Sequence, residues 1–277
     1  MPEDAARRDY VRIHQGAWRL WLHSDFRTLA DTTPGAAKYD GVRGPFLKIP
    51  ASQYARVFKA SLSFSGQVHQ FYIKQYLHRS PWDIVKHILR PSRGMRAFRA
   101  SLLLQRNGFF VPPVVAVGED RRFVFCTRSF LLTSGIENAR PLYEWVVGLS
   151  GSDAISRGRR RALVCELGHT IGRMHALGIC HGDLRPGNVL AEEIGGKWTF
   201  HLLDNERTRR LPYLPRYLRI KNLVQIGMVG DEYLGYSDRM RFFREYLRTN
   251  PRLHNRRKNL AAAVVSRTRQ RLAGKQF

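Results

Sequence analysis

The sequence predicts an α+β chain in two lobes, a small antiparallel-sheet lobe followed by a mainly helical one. Three observations carry that expectation. Across residues 54–76, β-branched and aromatic side chains lie on either side of Ser65-Gly66, the pattern of a strand hairpin. Across residues 92–107, Met95, Phe98, Leu102 and Leu103 recur at helical spacing, with Gly108 placed to end the helix. After a break at Ser134-Gly135, helical spacing takes over from Leu142. A chain of 277 residues suits one two-lobed domain of this kind.

Taken in order, residues 1–40 form an N-terminal extension, in which Trp18, Trp21 and Phe26 suggest an appended strand or helix covering the core and Thr32-Thr33-Pro34-Gly35 a loop. Residues 41–135 form the first lobe. Its hairpin strands centre on 57–62 and 71–74, and after the helix two more strands are expected at 114–117 and 122–126. Residues 136–277 form the second lobe. There, 161–177 reads as a helix with Leu163, Leu167, Ile171, Met174 and His175 on one face and Gly178 at its end, and the chain beyond Arg239 reads as helical and very basic.

Charge selects the class of partner. The 47 Lys and Arg against 22 Asp and Glu leave +25, so the partner is anionic: a nucleic acid, an anionic membrane surface or a phosphorylated substrate. The tail adds to this, because Arg252, Arg256, Arg257, Lys258, Arg267, Arg269, Arg271 and Lys275 occur without a carboxylate, as either a solvated helix face or a membrane-docking surface. Cys126, Cys165 and Cys180 cannot all pair and sit in apolar stretches, which fits buried thiols in a reducing compartment. The N-terminus lacks an apolar signal core, and the longest apolar run, 109–117, is broken by Pro112-Pro113. Neither a signal peptide nor a spanning helix is expected.

The chemistry concentrates in His181-Gly182-Asp183-Leu184-Arg185-Pro186-Gly187-Asn188-Val189-Leu190 and in Phe200-His201-Leu202-Leu203-Asp204-Asn205-Glu206. Phosphoryl transfer asks a protein for a partner to the acceptor hydroxyl, ligands for a metal on the phosphates, and a cation for the phosphates themselves. Asp183, five residues before Asn188 on a Pro-Gly loop, is the base candidate. Asp204 ends a short apolar stretch that reads as a buried strand, so Asn188 and Asp204 are the candidate Mg²⁺ ligands. His181 is expected to brace the loop, and Glu206 to pair with a neighbouring arginine such as Arg207.

HGDLRPGNVL resembles the catalytic loop of protein kinases, and LLDNE resembles the metal-binding segment of kinase-like small-molecule phosphotransferases. Gly182 and the DNE run depart from eukaryotic protein kinases, which carry Arg after the loop His and Phe-Gly after the metal Asp. Over most of its length the chain resembles the lipopolysaccharide kinases that phosphorylate heptose or Kdo of the inner core, through 71–74, 92–98, the Pro pair within 108–118, and Asp204-Asn205-Glu206-Arg207-Thr208.

That resemblance implies a protein-kinase-like fold, ATP and Mg²⁺ as cofactors, Lys74 as the strand lysine that holds nucleotide phosphates, and Arg185 as a cation facing the transferred group. It also implies an acidic sugar substrate in the lipopolysaccharide core and a peripheral position on the cytoplasmic face of the inner membrane, with nucleic acid the least favoured partner. Two features depart from kinase practice. The 92–107 helix has no Glu or Asp to pair with Lys74, and 61–66 offers one glycine where a phosphate loop would have three. A soluble small-molecule or protein kinase, and a silent kinase-like module that binds anionic membrane or nucleic acid, are the competing readings. The oligomeric state and the particular hydroxyl are not legible.

Overall fold

The computed structural model describes residues 9–26, 46–50, 55–64, 67–77, 90–122 and 125–274. The loop expected at 32–35, the Ser65-Gly66 turn and Lys275 lie outside them. The chain divides into two compact units, one of residues 1–108 and 112–137, the other of 109–111 and 138–277.

The first unit is built on a seven-stranded sheet. Its strands are β1 (Tyr10–Gln15), β2 (Trp18–His23), β3 (Phe46–Ile49), β4 (Ala55–Phe64), β5 (Gln67–Tyr76), β6 (Val114–Arg122) and β7 (Phe125–Ser134). They lie in the order β1-β2-β6-β7-β5-β4-β3 with every pairing antiparallel. The segment expected as an appended element therefore supplies two strands of the main sheet, with Trp21 of β2 opposite Val117 of β6.

Side-chain alternation sorts the core onto the two faces. Phe130 and Leu132 of β7 join Phe71, Ile73 and Val115 on one face, whereas Leu131 joins Tyr76, Val117, Met95 and Phe98 on the other. Met95 and Phe98 belong to α1 (Arg93–Arg106), which the Ser92 hydroxyl caps by accepting the Met95 N–H at 3.0 Å.

Of the strand expected at 122–126, residues 123 and 124 lie outside the described residues and the rest divides between two strands. Arg122 closes β6, and β7 runs from Phe125 through the buried Phe130-Leu131-Leu132. That stretch is buried on both faces, so it shows no polar alternation by which to read a strand.

The second unit is mainly helical: α2 (Leu142–Gly148), α3 (Ala154–Ala176), α4 (Arg216–Ile226), α5 (Tyr236–Arg248) and α6 (Arg257–Ala273). Its strands are short. β8 (Arg140–Pro141), β10 (Val189–Ile194) and β11 (Lys197–Leu202) make one sheet, and β9 (Ile179–Cys180) pairs with β12 (Arg209–Arg210). Helix α3 begins before the expected 161, because the Asp153 carboxylate accepts the Ser156 N–H at 2.8 Å. Its first turns carry no apolar face. They are fixed instead by Arg159 to Glu193 and Arg160 to Asp238.

Farther along α3, Gly172 lies against α5 so closely that a side chain would run into Thr249 and the Tyr246 main chain. The three cysteines are free, with Cys126 and Cys180 buried. Among the described residues no helix is long and apolar enough to cross a membrane.

Candidate active site

The loop that holds the chemistry leaves β9 at Cys180, turns through a short 3-10 helix, Pro186–Asn188, and enters β10. The β10–β11 hairpin sets Val189 opposite Leu202, and just beyond the paired strands the Leu203 N–H donates to Asn188 O at 2.9 Å. The acidic segment is thereby laid beside the loop. Asp204 stands in the left-handed region at φ 56° and ψ 49°, which an L-residue enters only at a cost of roughly 1 kcal/mol or more and which recurs at functional positions.

Asp183 is half-buried and anchored by three donors. Its Oδ1 accepts from Arg185 Nε at 2.8 Å and from Gln225 Nε2 at 3.0 Å, and its Oδ2 accepts from Asn188 Nδ2 at 3.2 Å. Asn188 Nδ2 also donates to the Asp183 carbonyl at 2.9 Å. With its amide hydrogens spent on Asp183, Asn188 offers Oδ1 as a hard oxygen ligand. Arg185 engages Asp183 through Nε alone, and its side chain is 63% exposed, which leaves the terminal nitrogens of its fork to an anion.

His181 is fully buried and braces the loop as expected. Its Nδ1 accepts the Asp183 N–H at 3.1 Å, so Nε2 carries the proton and donates to Leu203 O at 2.9 Å and Asn205 Oδ1 at 3.1 Å. One imidazole thus ties the loop to both neighbours of Asp204. Burial holds its pKa below the ordinary histidine value against the opposing hydrogen bonds, so it is neutral.

Gly182 finds its reason here too. A side chain at that position would collide with Arg207, whose main chain lies 2.9 Å from where a Cβ would stand. The arginine of eukaryotic protein kinases cannot be accommodated at this point of the loop. Glu206 is buried and meets Arg207 Nε at 3.6 Å, the pairing the sequence favoured.

Sequence reasoning missed α4. Asn222 and Gln225 are buried there, and they hold the loop by direct hydrogen bonds: Asn222 takes the His181 N–H at 3.1 Å and gives to His181 O at 2.6 Å. A faint signal was available, because Arg219, Asn222 and Gln225 recur at spacing three among Leu218, Ile220, Leu223, Val224 and Ile226, although Arg216 and Lys221 of the same helix blur it. The same helix turns Leu223 and Ile226 toward an apolar cavity of about 450 Å³ among α2, α3, α5 and α6.

Asp183, Arg185, Asn188 and Asp204 are therefore brought together in the second unit. Lys74 belongs to the first, on β5 between Val57 of β4 and Leu131 of β7, half-buried, with Nζ 5.5 Å from the Tyr76 ring centre. No group of three His, Cys, Asp or Glu suited to a metal occurs among the described residues. A magnesium ion does not ask for one, since it keeps several waters and takes one or two protein oxygens beside phosphates, and Asn188 Oδ1 with the Asp204 carboxylate fits that demand.

An antiparallel-sheet unit followed by a mainly helical unit that carries this loop defines a protein-kinase-like fold. The solved structure of WaaP in complex with acyl carrier protein has it, at a TM-score of 0.67 and 19% identity over 91% of this chain and 98% of that one. The chain belongs to the lipopolysaccharide kinase (Kdo/WaaP) family, whose sequence model matches residues 43–246.

Two curated relatives are 3-deoxy-D-manno-octulosonic acid kinases. That of Actinobacillus succinogenes is 29% identical over 119 residues, 43% of this chain and 46% of the relative. That of Haemophilus influenzae is 31% identical over 116 residues, 40% and 45% respectively. The match spans less than half the length of either relative.

Proposed function

We propose that this chain is an ATP- and Mg²⁺-dependent kinase that phosphorylates a sugar hydroxyl, of Kdo or heptose, in the lipopolysaccharide inner core. The observation that carries this reading is Asp183, anchored by three donors yet partly open to solvent, beside Asn188 and Asp204 in a chain of this family. Asp183 accepts the proton of the attacking hydroxyl. Asn188 and Asp204 would hold Mg²⁺, which supplies charge neutralisation at the phosphates when bound. Lys74 binds nucleotide phosphates, and Arg185 turns its free nitrogens to the transferred group.

The test is an ATP-dependent phosphate-transfer assay on deacylated core, Kdo, heptose and a generic protein, with mass mapping of the product. Transfer to core sugar alone is expected. Transfer to the protein alone would install the soluble-kinase reading, and nucleotide binding without transfer would install the silent module. Asp204→Asn should weaken nucleotide binding with Mg²⁺ and leave binding without it unchanged. Isothermal titration in the two conditions checks this, and equal curves for mutant and wild type would remove Asp204 from the metal site.

The membrane part of the reading rests on charge. Arg252, Arg256, Arg257, Lys258, Arg267, Arg269 and Arg271 are all exposed, while Leu260 and Thr268 of the same segment are buried. A basic side chain near an anionic surface contributes on the order of 1 kcal/mol, so a few of them suffice for peripheral binding. The protein should sediment with anionic vesicles at low salt and be released as salt rises. Removing the residues after Asn250 would strip Leu260 from the core, so Arg267, Arg269 and Arg271 changed to Gln make the cleaner variant. Its unaltered sedimentation would sink the docking role of α6.

A further inference from the structure

We propose that Gln225 is the positioning residue for Asp183, and that a one-way chain of hydrogen bonds starting at Arg219 dictates its orientation. The inference rests on the reading of Asp183 as the proton acceptor. The direction of the chain follows from its two fixed points: a guanidinium can only donate, and Asn222 Oδ1, held by the His181 N–H, needs a donor at His175 Nε2 and so leaves Nδ1 to accept. Arg219 Nη1 donates to the Tyr246 hydroxyl, which in turn gives its own hydrogen to His175 Nδ1 at 3.0 Å. His175 must then carry its proton on Nε2, 3.2 Å from Asn222 Oδ1.

Asn222 Oδ1 also accepts the His181 N–H, so its amide nitrogen faces His181 O and, at 3.2 Å, Gln225 Oε1. Gln225 Oε1 takes the Leu184 N–H as well, at 3.4 Å. Only Nε2 remains, and it lies 3.0 Å from Asp183 Oδ1. Turning either amide over would set donors against donors, so each is locked by its neighbours.

Arg185 and Gln225 share Asp183 Oδ1 but differ in what they can do. Arg185 is largely exposed and free to leave for a phosphate, whereas Gln225 is 6% exposed and pinned at its oxygen. Gln225 therefore keeps the carboxylate oriented when the arginine is recruited elsewhere. It touches no reacting atom and acts through Asp183.

The test uses the full chain. Gln225→Met keeps the length and removes the donor, and should lower kcat for sugar phosphorylation roughly 10–100-fold, the scale of a misplaced catalytic group, with KM for ATP within about twofold. Gln225→Glu presents oxygen where a donor is required and should lose more. Tyr246→Phe, which severs the chain at a distance, should lose less. Thermal melts identify variants that do not fold, and Gln225→Asn, an amide too short to reach, then replaces Gln225→Met. Wild-type kcat in a folded Gln225→Met would overturn the proposal.

A second readout needs no activity. The side-chain amide resonances of Gln225 should move on Asp183→Asn and on Tyr246→Phe, and resonances blind to both would also overturn it. A wild-type protein that transfers no phosphate would instead overturn the proposed function, while the amide resonances still decide whether the chain of bonds exists.

Discussion

The two units bury their polar groups in opposite ways. In the sheet unit the buried charges sit in small separate sets: Glu119 accepts from Arg121 and from the Ser92 N–H, and Asp120 accepts from Arg128. In the helical unit a connected set of side chains, Arg219, Tyr246, His175, Asn222, Gln225 and His181, reaches from α5 to the loop. A small separate set fixes the end of one helix. A connected set fixes a loop that has little regular structure of its own, because each member specifies the orientation of the next.

The comparison breaks most readily at the loop. On the proposed reading of Asp183 as the proton acceptor, Asp183→Asn should lower the transfer rate by roughly 10²–10⁴-fold with ATP binding nearly intact. Stopped-flow turnover and nucleotide titration check this, and wild-type turnover would remove Asp183 from the chemistry.

Next come two changes that attack the loop's supports. Asn222→Ala strands the buried His181 N–H and carbonyl and the His175 proton, at about 1–3 kcal/mol for each group left unpaired. Gly182→Ala drives a methyl into Arg207, an overpacking that costs typically 1–3 kcal/mol. Urea unfolding reads both, and an unchanged midpoint for either would mean that the loop yields more easily than its contacts imply.

Acid should separate the units. Burial, aided by the charge of Arg219, pushes His175 down to about 3, and burial also lowers His181, so both are neutral when folded. Unfolded, each takes up a proton below a pH of about 6.5. The stability they contribute is therefore full above that pH and drains as the pH falls below it, for His175 until about 3.

Glu119 behaves differently. Burial would raise its pKa, but the Arg121 and Ser92 hydrogen bonds outweigh that and leave it lowered from 4.5, so its contribution is full above the unfolded value of 4.5 and is lost as the pH falls from there through the lowered folded value. Hydrogen exchange at pH 7.5 and 5.5 should show the helical unit losing protection while the sheet unit keeps it. Equal losses would show that the buried histidines do not govern the difference.

The smallest effect is expected at the sheet unit's own local device. Ser92→Ala removes the cap on Met95 N–H and should cost about 1 kcal/mol, read as a modest fall in melting temperature with the transfer rate unchanged. A rate that fell with it would mean that the α1 cap does more than stabilise its helix.

The sequence by itself determined the elements with strong local signals. The 55–76 hairpin, the helix between Ser92 and Gly108 and the loop residues Asp183 and Asn188 are set by side-chain period, capping and turn chemistry, all of which act over a few residues. Only tertiary structure decided the rest. The recurrence of Arg219, Asn222 and Gln225 at spacing three does not say which groups they hold, since Gln225 and Asp183 stand 42 positions apart and are brought together by helix packing. The place of residues 10–23 in the main sheet was decided in the same way, by the pairing of β2 with β6 across the sequence. Gly182, legible only as a departure from a familiar pattern, acquires its reason from the main chain of Arg207 pressed against it. Local period and cap chemistry are written in consecutive residues, whereas steric exclusion and the direction of a buried hydrogen-bond chain exist only once distant segments are packed.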